Sequence, residues 1–183
     1  MNIIVSFSGR KNGNSDTIAK YIAKQNDTII YMRELSIQPC ANCEYECFKG
    51  NCIYKDDGIY TLFDQCFKAD KVFFIVPMYC GNPSALYFIL NERSQGYFKH
   101  NEEKYNNFIE RLYVIGIYGN SVDNPEFEQL FVRNYAFNNP EKHILGLERH
   151  KYGQKMKDFL LVEDEVEEKI NRFMNDSSCL KSK

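Results

Sequence analysis

The fold is decided by residues 3–15, which read Ile3-Ile4-Val5-Ser6-Phe7-Ser8-Gly9-Arg10-Lys11-Asn12-Gly13-Asn14-Ser15. The first five residues form a short and mostly apolar run, which is typical of a strand buried on both faces of a sheet. A polar loop follows, and Ile18, Tyr21 and Ile22 then recur at helical spacing. A strand that leads through a loop into a helix is the first half of a βαβ unit.

The same alternation continues along the chain. Further apolar runs occur at Thr28–Met32, Val72–Val76, Leu112–Tyr118 and Ile144–Leu147, with segments of helical spacing between most of them. Five strands that alternate with helices predict an α/β fold with a parallel sheet and helices on both faces. They fit a doubly wound sheet of strand order 2-1-3-4-5, whose ligand crevice lies between the first and third strands.

A single domain is expected over residues 1–175, with a cysteine-rich insertion at residues 36–57 and a frayed tail at residues 176–183. Pro77 is expected to end the third strand, because proline cannot continue a central ladder. Residues 94–110 are expected to form a surface excursion or a short extra helix. Helix starts are predicted at Asp57, at Ser84 and at Asn124–Pro125.

Composition excludes several classes of function. The 183 residues are 44% hydrophobic, and 23 Lys and Arg residues nearly balance 25 Asp and Glu residues. Without a basic stretch, we expect neither nucleic acid nor a membrane as a partner. The first residues lack the features of a signal peptide, and no apolar run has membrane-spanning length. We therefore expect a cytoplasmic protein, in which clustered cysteines indicate metal or redox chemistry rather than disulfides.

Functional residues are expected in the loops that begin at Ser8, Pro77 and Gly119, because these loops meet at the carboxyl edge of the sheet. The first loop runs from a strand into a helix, so it offers backbone N–H groups and the positive end of a helix dipole to an anion. Its side-chain donors are Ser8, Arg10, Asn14 and Ser15. The alternative is a polar turn that only caps the helix.

Elimination points to a mononucleotide as the ligand. The first loop has neither the G-x-G-x-x-G spacing of a dinucleotide site nor the lysine of a Walker loop. It contains no cysteine nucleophile for a phosphatase, and the third strand does not end in the aspartate of a receiver domain. One phosphate-binding loop fits a ligand with one phosphate.

The motif Ser8-x-Arg10-x-x-Gly13-Asn14-Ser15 resembles the phosphate loop of the NAD(P)H-dependent FMN reductase and iron–sulfur flavoprotein group of the flavodoxin-like superfamily. The resemblance continues at Pro39-Cys40, which opens a cysteine-rich loop, and at Pro77-Met78-Tyr79-Cys80-Gly81, which resembles the group's flavin-contacting Pro-x-Tyr-x-Gly segment. Where the group often has Asp-Arg, this chain has Asn91-Glu92-Arg93. The resemblance covers roughly the first half of the chain.

The second and third loops suit a flavin to different degrees. Tyr79 can lie along the isoalloxazine ring, and Gly81 lets the backbone approach it closely. A packed turn would explain the same residues. Gly119 is assigned to the site by topology alone, together with the neighbouring Asn120 and Ser121.

Four of the seven cysteines lie close together in the sequence. Cys40, Cys43, Cys47 and Cys52 have the spacing C-x2-C-x3-C-x4-C, which indicates an iron–sulfur cluster or zinc. This is not the ferredoxin spacing, so the assignment of a [4Fe–4S] cluster depends on the resemblance, and a loop without metal remains open. Cys66 is expected in the core, Cys80 is expected to pack, and the three histidines are expected at the surface or at edges.

The resemblance implies an oxidoreductase in which NADH or NADPH reduces FMN and the electrons pass, with or without the cluster, to a small-molecule or redox-protein acceptor. No side chain is assigned as a catalytic acid or base, because the flavin supplies the chemistry. The alternatives are a flavodoxin-like electron carrier without nicotinamide activity and a metal-stapled interaction module without catalysis. The exposed cysteine loop and the resemblance together imply a homo-oligomer.

Overall fold

The continuous apolar runs of the sequence form the strands of one sheet. A computed structural model describes residues 1–119, 126–153, 155 and 159–178. Within these ranges the strands are β1 (Ile3–Ser6), β2 (Thr28–Tyr31), β3 (Val72–Tyr79), β4 (Asn82–Pro83), β5 (Leu112–Tyr118) and β6 (Ile144–Glu148). The helices are α1 (Asn14–Ile22), α2 (Gly58–Lys68), α3 (Ala85–Phe98), α4 (Glu102–Arg111), α5 (Phe127–Asn134), α6 (Pro140–His143) and α7 (Asp164–Ser178).

The five longer strands are all parallel and lie in the order β2-β1-β3-β5-β6. This is the predicted doubly wound order 2-1-3-4-5 once the two-residue β4 is set aside. β4 pairs antiparallel with the end of β3 and forms a hairpin that the sequence analysis did not predict. The carboxyl ends of β1, β3 and β5 therefore meet at one edge, as expected for this topology.

The central strands β1, β3 and β5 are buried on both faces over most of their length, which explains why they read as nearly continuous apolar runs, whereas the edge strands β2 and β6 are only partly buried. Alternate residues of β3 enter two separate clusters: Val72, Phe74 and Val76 on one side, Phe73 and Ile75 on the other. The first cluster packs against residues of α2, α3, α4 and α5, and the second packs against residues of α1 and α7. All five of these β3 side chains are fully buried.

The prediction that Pro77 ends the third strand was wrong, because β3 continues to Tyr79. The carbonyl of Ile75 accepts from Phe7 N–H on the β1 side, so Pro77, two residues later, faces that same side. There β1 has already ended at Ser6, so the missing proline N–H removes no ladder bond. The Pro77 carbonyl instead accepts from Ser84 N–H at 3.2 Å.

Of the two alternatives predicted for residues 94–110, the extra helix is confirmed and the surface excursion is not. These residues contain the end of α3 and most of α4, and Phe98, Phe108 and Ile109 from this stretch are buried. The abundance of polar residues hid the apolar positions that hold both helices on the core.

The predicted caps are confirmed where the structure describes them. The Asp57 carboxylate accepts from Ile59 N–H, and the Ser84 hydroxyl accepts from Tyr87 N–H. α7 runs to Ser178, three residues past the predicted end of order at residue 175. The predicted helix start at Asn124–Pro125 and the tail at residues 179–183 lie outside the described residues. In the described part of the chain, no helix is both long enough and apolar enough to cross a membrane.

Candidate functional site

A cavity of about 460 Å³ lies at the carboxyl edge of the sheet. We call it the carboxyl-edge cavity. All of the predicted cofactor residues except Gly81 line it, namely Ser8, Arg10, Gly13, Asn14, Ser15, Pro77, Met78, Tyr79 and Gly119. The structure therefore brings residues from the three predicted loops to one place, while their role as ligands stays a prediction.

The first loop, residues 7–13, is held from beneath by the buried carboxylate of Asp16 in the first turn of α1. This carboxylate accepts from the Ser6 hydroxyl at 2.7 Å and from Asn12 N–H at 2.8 Å. Arg33 donates to the same carboxylate at 2.9 Å and to the Ser8 carbonyl at 3.3 Å. The loop is thus tied to two neighbouring segments before any ligand binds.

Ser8, Arg10 and Tyr79 meet on the cavity side of the first loop. The Ser8 hydroxyl accepts from Arg10 N–H at 3.1 Å and lies 3.4 Å from the Tyr79 hydroxyl. The Arg10 guanidinium lies 5.8 Å from the centre of the Tyr79 ring and is otherwise exposed. Gly13 is the N-cap of α1 and provides no side-chain acceptor for the first-turn N–H groups. Gly13 and Asn14 line the cavity together with Arg10, so the positive end of the helix dipole lies beside the Arg10 cation.

The second loop is a tight hairpin between β3 and β4. Its two central residues, Cys80 and Gly81, have φ values of 48° and 81°. Two successive positive φ values are typical of the hairpin turns that follow the twist of the strands. Gly81 therefore serves the turn and is not among the residues that line the cavity, whereas Cys80 adopts a conformation that is uncommon for a non-glycine residue.

Residues after β6 also line the cavity and were missed by the sequence analysis. Arg149 N–H donates to the Tyr118 carbonyl, and His150 N–H donates to the Gly119 carbonyl, both at 2.9 Å. The Nε atom of Arg149 is buried and has no hydrogen-bond partner among the described residues. Phe159 is 44% exposed at the cavity wall. The position of these residues after the fifth parallel strand was the signal that could have found them.

The remaining sequence assignments have mixed outcomes. His150 was expected at the surface or at an edge and is exposed, and it also belongs to the cavity wall, which the sequence did not indicate. Asn120 and Ser121 lie outside the described residues. Cys66 is 1% exposed and belongs to the core, as predicted, and burial raises the pKa of its thiol.

Cys40, Cys43, Cys47 and Cys52 line one small cavity, which we call the cysteine pocket. All four thiols are free, and the open volume between the pocket residues is about 10 Å³. Among the described residues, no group of three or more His, Cys, Asp or Glu side chains is arranged to bind a metal ion. The fold thus gathers the predicted ligands without presenting them in a metal-binding arrangement.

Backbone N–H groups surround the Cys43 sulfur. Hydrogen bonds from the N–H of Cys47, from the Cys47 thiol and from the N–H groups of Tyr45 and Glu46 lower the pKa of Cys43. Glu44 and Tyr45 both have positive φ, at 50° and 59°, which makes this sharp turn around the sulfur possible. Burial and the neighbouring Cys43 raise the pKa of Cys47, so the two thiols differ in their readiness to ionise.

The cysteine segment, residues 36–57, is held together by Arg93 of α3. The Arg93 side chain is 2% exposed and donates to the Asp57 carboxylate at 2.7 Å. It also donates to the carbonyls of Gln38 and Tyr54, at 2.9 and 2.7 Å, and to the Cys52 sulfur at 3.7 Å. One buried cation therefore connects both ends of the segment with one of its cysteines.

A glycine in α3 allows the helix to approach the cysteines closely. A Cβ atom on Gly96 would lie 2.9 Å from the Tyr60 hydroxyl and 3.3 Å from the Cys47 Cβ atom. The base of the segment is closed by a hydrogen bond of 3.0 Å from Gly58 N–H to the Ser36 carbonyl. This bond lies at the predicted limits of the insertion.

No protein-family model matches the chain. A curated iron–sulfur flavoprotein of Archaeoglobus fulgidus is 34% identical over 67 residues, which is 37% of this chain and 32% of that protein. The chain therefore spans about a third of the length of this relative.

Among solved structures, a Trp repressor binding protein of Bacillus subtilis matches 93% of this chain and 97% of its own, at 16% identity and a TM-score of 0.63.

A second solved structure supports the same architecture. A flavoenzyme NAD(P)H:acceptor oxidoreductase of Paracoccus denitrificans matches 97% of this chain and 94% of its own, at 9% identity and a TM-score of 0.53. The chain has a flavodoxin-like fold. In this flavodoxin-like sheet the carboxyl-edge cavity lies at the switch point between β1 and β3.

Proposed function

We propose that the protein is an FMN-dependent oxidoreductase, in which NADH or NADPH reduces the flavin and a small molecule or redox protein takes up the electrons. The observation that carries this proposal is the convergence of the three predicted loops on the carboxyl-edge cavity. Flavodoxin-like proteins bind FMN at this point of the sheet. The names of the flavoprotein and flavoenzyme relatives motivate the proposal further.

The chemistry of the first loop fits the phosphate of FMN. The loop presents the Arg10 guanidinium and the Ser8 hydroxyl to the cavity, and the first turn of α1 adds the Ser15 hydroxyl and the start of the helix. A Cβ atom placed on Gly9 or Gly13 would meet no other atom within 4 Å, so the space above both glycines is open. Charge-assisted hydrogen bonds from such donors bind a phosphate strongly.

The rest of the cavity wall fits an aromatic ring system. Pro77, Met78, Tyr79, Ile117 and Phe159 provide apolar surface, and the volume is in the range of small-molecule sites. When bound, the flavin supplies the hydride and electron chemistry. The side chains of this protein bind it, orient it and shield one face from water, and no described residue is assigned as an acid or base.

Reconstitution tests this proposal. We expect the purified protein to bind FMN more tightly than FAD, because the site offers a single phosphate cradle. Anaerobic addition of NADH or NADPH should then bleach the flavin absorbance. A bound flavin that dithionite reduces and both nicotinamides leave oxidised would identify an electron carrier instead. A protein that binds no flavin would leave the interaction module as the remaining function.

We further propose that Cys40, Cys43, Cys47 and Cys52 bind one [4Fe–4S] cluster. The four thiols share one pocket, and N–H donors already surround Cys43 and contact Cys52, as is common for cluster ligands. The present volume of about 10 Å³ is too small for a cluster, so binding requires outward movement. Residues Cys40 to Asn42 and Glu44 to Tyr45 are exposed, so the space on their outer side is open to this movement.

Iron and sulfide analysis after anaerobic reconstitution tests the cluster. We expect about four iron and four sulfide per chain, as a cubane with four cysteine ligands requires. Cys47→Ser should abolish this content, whereas the control Cys80→Ser, at an exposed turn outside the pocket, should keep it. Zinc without sulfide, or no metal at all, would contradict the cluster and leave the flavin proposal intact.

We propose a homo-oligomer, because Tyr45 and Ile53 beside the cysteine pocket are 73% and 56% exposed, and such apolar surface favours association. The six free thiols of the described residues support a reducing, cytoplasmic compartment.

A further inference from the structure

We propose that Arg33 is the positioning residue that makes the first loop selective for a phosphorylated flavin. Arg33 does not line the carboxyl-edge cavity and would not touch the ligand. It acts through Asp16 and through the carbonyl groups of the first loop. The inference rests on the proposed FMN binding and deepens it.

The buried carboxylate of Asp16 places a negative charge beneath the loop that is proposed to bind the phosphate. It lies in the first turn of α1 and is 1% exposed, directly under the loop that is proposed to bind an anion. A buried negative charge there would repel the phosphate. Arg33 offsets this repulsion, because its guanidinium pairs with Asp16 at 2.9 Å and its side chain is only 12% exposed.

The other groups around Arg33 leave this pairing in place. Glu34 lies 3.5 Å from the second guanidinium nitrogen, but its side chain is 53% exposed and therefore interacts weakly. The Tyr31 ring lies 4.4 Å from the guanidinium carbon and covers one face of it. The Nε atom of Arg33 is buried without a hydrogen-bond partner among the described residues. The positive charge of Arg33 therefore acts mainly on the Asp16 carboxylate and on the carbonyl groups of Ser8 and Arg10.

Arg33 also sets the direction of the loop peptides. It donates to the Ser8 carbonyl at 3.3 Å and to the Arg10 carbonyl at 3.5 Å. In a trans peptide the carbonyl and the following N–H point in opposite directions. Holding these two carbonyls therefore fixes the orientation of the peptides that follow Ser8 and Arg10, and with it the shape of the loop that contributes Ser8 and Arg10 to the cavity.

Three variants and two ligands separate this role from simple structural support. Riboflavin presents the same ring without the phosphate, so it reports on the ring site alone. In Arg33→Gln, we expect the Kd for FMN to rise roughly ten- to one-hundred-fold, because the phosphate then lies near an uncompensated buried carboxylate, and the Kd for riboflavin to stay nearly constant. Arg33→Lys should lose less, because it keeps the charge beside Asp16.

The double variant Asp16→Asn with Arg33→Gln gives the sharpest result. It removes the uncompensated carboxylate, so it should bind FMN more tightly than Arg33→Gln alone. Kd values come from flavin fluorescence titration, with the unfolding midpoint of each variant measured in parallel. Equal losses for FMN and riboflavin, or a double variant no better than the single one, would overturn the inference.

The outcome also separates this inference from the proposed function. A wild-type protein that binds neither flavin overturns the proposed FMN function and this inference with it. A wild-type protein that binds FMN, together with an Arg33→Gln variant of unchanged affinity, overturns the inference alone.

Discussion

Replacing Arg93 by methionine is expected to lower the free energy of unfolding by about 3–5 kcal/mol, the cost of breaking a buried ion pair from one side. Methionine keeps the length and apolar character of the stem, so packing changes little. The substitution leaves the Asp57 carboxylate, which is 12% exposed, without its cation. It also leaves the carbonyls of Gln38 and Tyr54 without their donor.

Denaturant unfolding measures this loss. Arg133→Met is the matched control, because Arg133 and its partner Glu126 are 64% and 75% exposed and 3.6 Å apart. Such a surface pair contributes at most about 1 kcal/mol. A thiol reagent should also modify Cys52 faster in the Arg93 variant. Equal stability losses in the two variants would show that Arg93 does not hold the cysteine segment.

Replacing Arg10 and Ser15 together by alanine is expected to weaken FMN binding by about 3–6 kcal/mol, since each charge-assisted hydrogen bond contributes about 1.5–3 kcal/mol. Arg10 is exposed at the cavity, and Ser15 is 3% exposed in the first turn of α1. Neither change removes a large apolar side chain from the core. The folded state should therefore persist while the phosphate loses two of its donors.

Titration with FMN and riboflavin measures the effect. Lys24→Ala is the control, because it removes the same charge just beyond the opposite end of α1. Riboflavin binding should change little in either variant. Unchanged FMN affinity in the Arg10 and Ser15 double variant would refute the assignment of the first loop to the phosphate.

The arrangement of the sheet was accessible from the sequence because burial on both faces leaves a direct signature. Each long strand consists mostly of apolar residues, and parallel strands with helices between them allow few orders. The same reasoning placed Ser8, Pro77 and Gly119 at one edge, where the structure has them around one cavity. Local patterns and topology were sufficient for this part of the site.

The parts of the fold and of the site that the sequence did not predict depend on contacts between residues that are distant in sequence. Pro77 continues a strand only because β1 has already ended beside it. Arg149 reaches the cavity through pairing with β5, and neither this residue nor its loop carries a motif. Arg33 and Arg93 look like ordinary surface residues in the sequence, yet each is enclosed by backbone carbonyls and a carboxylate.

The hydrogen bond between Gly58 and Ser36 has a consequence for the history of this protein. Because the cysteine segment leaves and re-enters the domain at nearly the same point, its length is decoupled from the geometry of the sheet. The entropic cost of closing such a loop grows slowly with the number of residues. Related lineages can therefore lengthen or shorten the segment without remodelling the carboxyl-edge cavity, whereas discarding it would leave the buried Arg93 of α3 without its partners.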